Sequence, residues 1–151
     1  MKVITLQGKS NTGKSKTLKK VVKLFKEKYG EPLLHSLKYK YSLTIDYFDD
    51  WVVYEVNGKF IVIITAGDRK EYIEDIYNGI HEKYEKKYKN KLNVDILLVA
   101  SHNNYKMNEW LNAISDNNVE VFTKEKLDNL SQDKTFEENG KYLFDYIMKM
   151  I

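Results

Sequence analysis

The apolar positions of the chain change spacing several times, and each change predicts a new strand or helix. Residues 2–6, KVITL, form a short run rich in β-branched side chains, which predicts a strand. The next apolar positions recur every three or four residues, which predicts a helix that ends before Gly30 and Pro32. These helical positions are Leu18, Val21, Val22, Phe25 and Tyr29. The chain therefore opens with a strand, a polar loop and a helix.

A β-hairpin is predicted in the next third of the chain. Residues 51–56, WVVYEV, and 60–65, FIVIIT, are apolar runs that flank Asn57-Gly58-Lys59, and Asn-Gly is a strong hairpin signal. The two runs are therefore expected to be antiparallel neighbours. Residues 31–50, before the hairpin, show no regular spacing and are predicted to be irregular.

The remaining residues alternate between helical and strand patterns. A helix is predicted from about Arg69 to Lys89, followed by a strand in VDILLVAS, residues 94–101. Because that strand is apolar on both faces, we expect it to be a central parallel strand. A helix with apolar positions between residues 107 and 114 and a strand over residues 119–122 follow.

A last helix completes the predicted fold. It begins with Thr135 and Glu138, which have the spacing of a capping box, and its apolar positions would pack on the sheet. The whole pattern predicts a single domain over residues 1–151, with a three-layer α/β/α sandwich of about five mostly parallel strands and one antiparallel hairpin strand.

Composition and charge narrow the functional classes. The chain has no cysteine and no apolar run long enough to cross a membrane, and its N-terminus enters a strand at once, so we expect a cytoplasmic protein without a membrane partner. Its 25 basic and 22 acidic residues are interleaved, which does not favour a nucleic-acid partner. Arg69 is the single arginine, so planar clamps for phosphate are scarce.

The strongest chemical signal is the loop between the first strand and the first helix. Residues 8–15, which we call the glycine loop, read GKSNTGKS and match the pattern G-x-x-x-x-G-K-[ST] at every position. Gly8 and Gly13 permit a backbone that wraps an anion with its N–H groups, and the following helix adds its positive end. Lys14 would reach the β- and γ-phosphates, and the Ser15 hydroxyl would bind Mg²⁺.

On these residues the chain resembles the P-loop NTPases, and specifically small bacterial P-loop proteins whose function is uncertain. The resemblance covers about the first thirty residues. It implies a P-loop NTPase fold and binding of ATP (or GTP) with Mg²⁺. The residues that would contact the nucleotide are Gly8, Lys9, Ser10, Asn11, Thr12, Gly13, Lys14, Ser15, Lys16 and, further along the chain, Gly67.

The order of elements is also similar to Ras-like GTPases, in which a hairpin strand ends in D-T-A-G. That resemblance implies that Gly67 senses the γ-phosphate and that Thr44 is a Mg²⁺-binding switch residue. The chain departs from the pattern where Ile64 replaces the Asp on the metal side and Asp68 replaces a water-positioning Gln. In the guanine-reading motif N-K-x-D, Lys124 matches the lysine but Lys126 replaces the aspartate, which favours ATP over GTP.

For several further residues the sequence supports more than one interpretation. Asp68 follows a strand end, where it would hold Mg²⁺ or orient water, but with Glu71 it also has the spacing of a helix N-cap. Asp46, Asp49 and Asp50 are rival metal carboxylates. Arg69 would either stabilise the γ-phosphate during transfer or be solvated. The segment Ser101 to Asn104 would either face base or substrate or form a cap and turn.

We therefore expect a Mg²⁺-dependent nucleotide-binding protein that slowly hydrolyses or transfers a γ-phosphate. Lys14, Asp68 and Arg69 are the candidate catalytic residues, and Ser15 and Asp68 are the candidate metal ligands. Two alternatives remain open at this point. One is a small-molecule kinase whose acceptor pocket is formed by residues 31–50 and 101–106, and the other is a GTPase-like switch that acts through a protein partner.

Overall fold

The computed structural model describes residues 1–9, 12–36, 50–65 and 69–151. These residues form an α/β fold with a mixed sheet. The strands are β1 Lys2–Gln7, β2 Leu34–His35, β3 Trp51–Val56, β4 Lys59–Ile64, β5 Ile96–Ser101 and β6 Val119–Thr123. The helices are α1 Lys14–Tyr29, α2 Lys70–Tyr88, α3 Tyr105–Ser115, α4 Lys124–Ser131 and α5 Phe136–Met148.

The sheet has the order β2-β3-β4-β5-β1-β6. Strand β1 pairs in parallel with β5 on one side and with β6 on the other, and β5 also pairs in parallel with β4. Strand β3 is antiparallel to both of its neighbours. The carboxyl ends of β1, β4, β5 and β6 therefore meet at one edge of the sheet, where ligands of α/β proteins bind.

The hairpin forms as the Asn57-Gly58 signal predicts. Asn57 and Gly58 have φ values of 53° and 77°, and Val56 pairs directly with Lys59. Two successive positive φ values are the geometry of the tight turn that Asn-Gly favours. The hairpin is confirmed, although Lys59 belongs to β4 rather than to the turn. Its second strand is not adjacent to β1, because β5 lies between them.

Helices cover both faces of the sheet because the strands are apolar on both sides. Ile4 and Leu6 of β1 lie in one core together with residues of α1, α4 and α5. Val3 and the alternate positions of β5 lie in a second core with residues of α2 and α3. The central parallel position predicted for β5 is confirmed, since all six of its residues are buried.

The sheet has six strands among the described residues, so the expected five is wrong. Strand β2 was missed because it is only two residues long, too short for an alternating pattern; it pairs with Val52 and Val53 at the edge of the sheet. Helix α4 was missed because its eight residues have only two apolar positions, Leu127 and Leu130, which are too few to establish a helical pattern.

Two helix beginnings are predicted from capping residues, and one of these predictions is wrong while the other is confirmed. Helix α2 begins at Lys70 with Arg69 as its N-cap, so the assignment of Asp68 as N-cap residue is wrong. At α5 the Thr135 hydroxyl accepts a hydrogen bond from the Glu138 N–H at 3.2 Å, which confirms the cap that opens this helix. None of the helices in the described ranges is long and apolar enough to span a membrane.

Candidate phosphate-binding site

The glycine loop leaves the carboxyl end of β1 and enters α1 at the sheet edge described above. The N–H of Gly8 donates to the carbonyl oxygen of Ser101, the last residue of β5, at 3.2 Å. Gly13 is the N-cap residue of α1 and has a φ of 82°, a left-handed conformation that favours glycine. Of the loop, Ser10 and Asn11 lie outside the described residues.

The beginning of α1 has the properties of an anion site. Its cap residue Gly13 offers no side chain, whereas α3, α4 and α5 are each capped by a side-chain oxygen. The first N–H groups of a helix have no partner within the helix, and they carry its partial positive charge. A bound phosphate would satisfy these groups. Thr17 stabilises the first turn of α1, because its hydroxyl and its N–H both donate to the Gly13 carbonyl at 3.0 Å.

Lys14 is folded over the glycine loop. Its side chain is only 4% exposed, and its ammonium donates to the carbonyl oxygens of Gly8 and of Lys9, the latter at 2.9 Å. These acceptors place the ammonium inside the curve of the loop. A polyphosphate held there would exchange two neutral carbonyl partners for anionic oxygens, which form stronger charge-assisted hydrogen bonds.

Ser15 connects the loop to the end of β4. Its hydroxyl donates to the carbonyl oxygen of Thr65 at 3.0 Å, although β5 separates β4 from β1 in the sheet. The hydroxyl oxygen is the type of ligand that Mg²⁺ takes. Gly67 and Asp68, which come two and three residues after Thr65, lie outside the described residues.

Thr12 and Lys9 are the remaining described residues of the loop, and Lys16 follows it in α1. Thr12 donates its hydroxyl to the Lys9 carbonyl at 2.8 Å, which closes the loop on itself. Lys9 and Lys16 are exposed. The Lys16 ammonium lies 5.4 Å from the ring centre of Phe136, so its side chain extends towards the beginning of α5.

The backbone of Asp50, one of the rival metal-binding residues, is bonded to the residue that contacts Ser15. Asp50 accepts a hydrogen bond at its carbonyl oxygen from the Thr65 N–H at 2.8 Å, and Thr65 in turn accepts from Ser15. Asp50 is held there by the Ser36 hydroxyl, which accepts from its N–H at 2.7 Å. Asp46 and Asp49, like the switch candidate Thr44, lie outside the described residues.

A cavity of about 360 Å³ opens at the same edge of the sheet, between the beginnings of α2 and α3. Its lining is mostly basic and polar. The lining residues are Arg69, Lys70, Glu71, His102, Asn104, Tyr105 and Lys106. Arg69 is exposed and lines this cavity. In the sequence it follows by four positions Thr65, whose carbonyl accepts from Ser15.

In the segment Ser101 to Asn104, the structure confirms the interpretation as a helix cap. The Ser101 hydroxyl is fully buried and bonded to that of Thr5 at 2.6 Å, and Asn104 caps α3 by accepting from the Met107 N–H at 2.9 Å. His102 and Asn104 also line the cavity. Residues of the segment 101–106, where an acceptor pocket is predicted, therefore line a cavity, whereas no described residue of 31–50 lines it.

Sequence reasoning missed one side chain next to the loop. Phe136, the first residue of α5, lies with its ring against Gly13, and a methyl group built on Gly13 would be 1.9 Å from its Cε1 atom. Lys124, at the beginning of α4, places its ammonium 5.6 Å from the same ring. These residues are more than a hundred positions from Gly13 in the sequence, so no local pattern signals the contact.

Comparison with known proteins gave no match, whether by protein-family models, curated proteins or solved structures.

Proposed function

We propose that the chain is a Mg²⁺-dependent nucleoside-triphosphate-binding protein with a P-loop NTPase fold, and that it hydrolyses or transfers the γ-phosphate. The observation that carries the proposal is the position of the Lys14 ammonium inside the glycine loop, beside a helix that begins at a glycine cap. Loop N–H groups, an ammonium and a helix end then act on one anion.

Four residues of the glycine loop have separate roles in the proposed site. Gly8 and Gly13 let the backbone approach the phosphates, and Lys14 neutralises charge that develops during transfer. The Ser15 hydroxyl would help to hold Mg²⁺, which would supply a Lewis acid for the phosphoryl group. Asp68 is proposed as the acid that orients the metal's water, with Asp50 as the alternative because of its contact with Thr65.

Thermal denaturation with and without Mg²⁺ tests the binding proposal. We expect ATP with Mg²⁺ to raise the melting temperature, and ATP without the metal to raise it less, because Ser15 would lose the ion that it helps to hold. AMP, which lacks the β- and γ-phosphates, should have little effect. A shift of equal size for AMP and ATP would contradict the proposal, because the glycine loop binds through the phosphate chain.

We predict that ATP binds at least as tightly as GTP. A guanine-reading carboxylate would contribute about 1.5–3 kcal/mol, which is typical of hydrogen bonds to charged groups. Lys126 stands in its place, with its ammonium 4.5 Å from the Phe122 ring centre and donating to the Val121 carbonyl at 3.3 Å. Competition between the two nucleotides measures the preference. GTP binding more than tenfold tighter than ATP would instead favour the GTPase-like switch with a protein partner.

Transfer to a small molecule is a second candidate, and the cavity beside the site favours it. The cavity residue His102 follows Ser101, whose carbonyl accepts from the Gly8 N–H, so an occupant would lie at the same edge of the sheet as the glycine loop. Lys70 is paired with Glu74, but Arg69 and Lys106 still outnumber Glu71 in the lining, so the acceptor class that fits is a small molecule with a carboxylate or phosphate group.

ADP formation in the presence of a panel of small carboxylates and phosphate esters tests this candidate. We predict that Arg69→Ala lowers acceptor-dependent ADP formation by about tenfold or more, since a charge-assisted hydrogen bond contributes about 1.5–3 kcal/mol. ATP affinity should not change. The control is Lys86→Ala, which removes an exposed charge elsewhere on α2. If no compound raises ADP formation above the rate with water, hydrolysis is the better description.

A further inference from the structure

Phe136 borders the proposed phosphate site on the side away from β4. Its ring lies against Gly13, and the ammonium groups of Lys16 and Lys124 are 5.4 and 5.6 Å from its centre. The side chain is only partly buried. An aromatic ring with two cations thus stands where the glycine loop turns into α1.

Close packing of α5 on α1 fixes the position of this ring. A Cβ atom on Gly140 would lie 2.6 Å from the Cβ of Lys20 and 2.9 Å from the carbonyl oxygen of Thr17, so the absence of a side chain at Gly140 lets the helices approach. Phe144 of α5 also packs edge-on against Phe25 of α1, with ring centres 5.1 Å apart. The beginning of α5 is therefore held rigidly beside the glycine loop.

A polar network fixes the neighbouring cation. The Lys124 ammonium pairs with Asp128 and donates to the Lys134 carbonyl at 2.8 Å. The fully buried Asn139 of α5 donates to Asp128 at 2.9 Å and accepts from the Ser131 hydroxyl at 2.9 Å. The hydrogen bonds from Lys124 and Asn139 hold the pKa of Asp128 below its ordinary value, so this carboxylate stays ionised and keeps Lys124 in place.

The sheet order indicates which part of a nucleotide would reach this ring. Ser15, which would hold the metal at the β- and γ-phosphates, faces the end of β4. Gly13 faces Phe136, which follows β6 on the opposite side of β1. A phosphate chain bound with its terminal end at Ser15 therefore leaves the loop over Gly13, and the nucleoside end of the molecule arrives at Phe136.

We propose that the ring of Phe136 is the platform on which the nucleobase stacks. The base would displace the exposed Lys16 side chain, whose ammonium now lies over the ring, so that Lys16 and Lys124 face the ribose and the first phosphate. The inference rests on the proposed function. It assigns a binding position to the nucleoside, which is the part of the ligand that the glycine loop does not contact. Stacking on an aromatic face tolerates any base, so the platform provides affinity rather than base selection. The alternative is that the ring only covers Gly13 and supports the loop.

Titration calorimetry with MgATP and with magnesium tripolyphosphate separates the two roles. Tripolyphosphate has the phosphate chain but no base. For Phe136→Leu we expect MgATP affinity to fall about 5- to 100-fold, the range for loss of one base–aromatic stack, while tripolyphosphate affinity stays within twofold. The control is Tyr88→Leu, which removes an exposed ring at the far end of α2 and should change neither affinity.

Phe136→Trp provides a second test that keeps an aromatic ring at the site. The fluorescence that this tryptophan adds to that of the wild-type protein should be quenched by ATP and not by tripolyphosphate. An equal loss of affinity for both ligands in Phe136→Leu, or no loss for either, would overturn the stacking proposal. It would not contradict phosphate binding by the glycine loop. Failure of the proposed function itself looks different, since wild-type protein would then bind neither ligand.

Discussion

Lys14→Ala is expected to remove most of the stabilisation that a nucleotide gives to this protein. A ligand at a hundred times its dissociation constant stabilises the folded state by about 2.7 kcal/mol. For a domain of this size, that corresponds to a rise in melting temperature of about 5 to 10 °C. The variant loses the ammonium that lies inside the glycine loop, where it now binds the carbonyls of Gly8 and Lys9.

The measurement is the difference in melting temperature with and without MgATP, taken for each variant separately. This design removes any effect of the substitution on the stability of the unliganded protein, which matters because Lys14 is buried. Lys23→Ala is the matched control, since it removes an exposed lysine from the same helix. An unchanged shift in Lys14→Ala would mean that the nucleotide binds elsewhere.

Asp68→Asn is expected to reduce turnover by about tenfold or more and to leave nucleotide affinity within a few-fold. The covalent chain keeps residue 68 within about 11 Å of Thr65, whose carbonyl contacts the Ser15 hydroxyl. The competing explanation, an N-cap role, is disfavoured because Arg69 occupies the N-cap position of α2. Turnover under saturating MgATP, together with the dissociation constant, separates an effect on the reaction from an effect on binding.

Hydrolysis by the isolated protein should be slow, below about one turnover per minute, because few charges surround the γ-phosphate. The position of the expected metal-side carboxylate is occupied by Ile64, which is fully buried in β4, and the single arginine lies at the cavity rather than in the loop. A missing arginine alone costs about 10³–10⁵ in rate. Fast hydrolysis that is insensitive to Asp68→Asn would move the acid to Asp50, Asp49 or Asp46, with Asp50→Asn the first variant to measure.

The elements that the sequence predicted well are those whose signal is local. Asn57-Gly58 determines the hairpin because few other residues adopt two successive positive φ values. The buried positions of α1 follow the helical spacing of Leu18, Val21, Val22 and Phe25. Strand β5 is apolar on both faces, and that property by itself places it inside a sheet covered by helices.

The sequence failed where the signal was too short or depended on neighbours. Two residues cannot show the alternation of a strand, so β2 appears only through its pairing with β3. The beginning of α2 was predicted one residue early, because Asp68 and Glu71 have the spacing of a capping box whether or not the backbone uses it. Capping depends on backbone angles, which the residue types favour but do not fix.

For the candidate site, the sequence by itself determined the glycine loop, because the two glycines, Lys14 and Ser15 lie within eight consecutive residues and act through the backbone that joins them. The tertiary structure decided what surrounds that loop. Thr65, Ser101 and Phe136 come to it from β4, β5 and α5, and their contacts exist because the parallel strands end at one edge of the sheet and α5 packs on α1. Contacts between residues so distant in the sequence depend on sheet order and helix packing, which a local pattern does not encode.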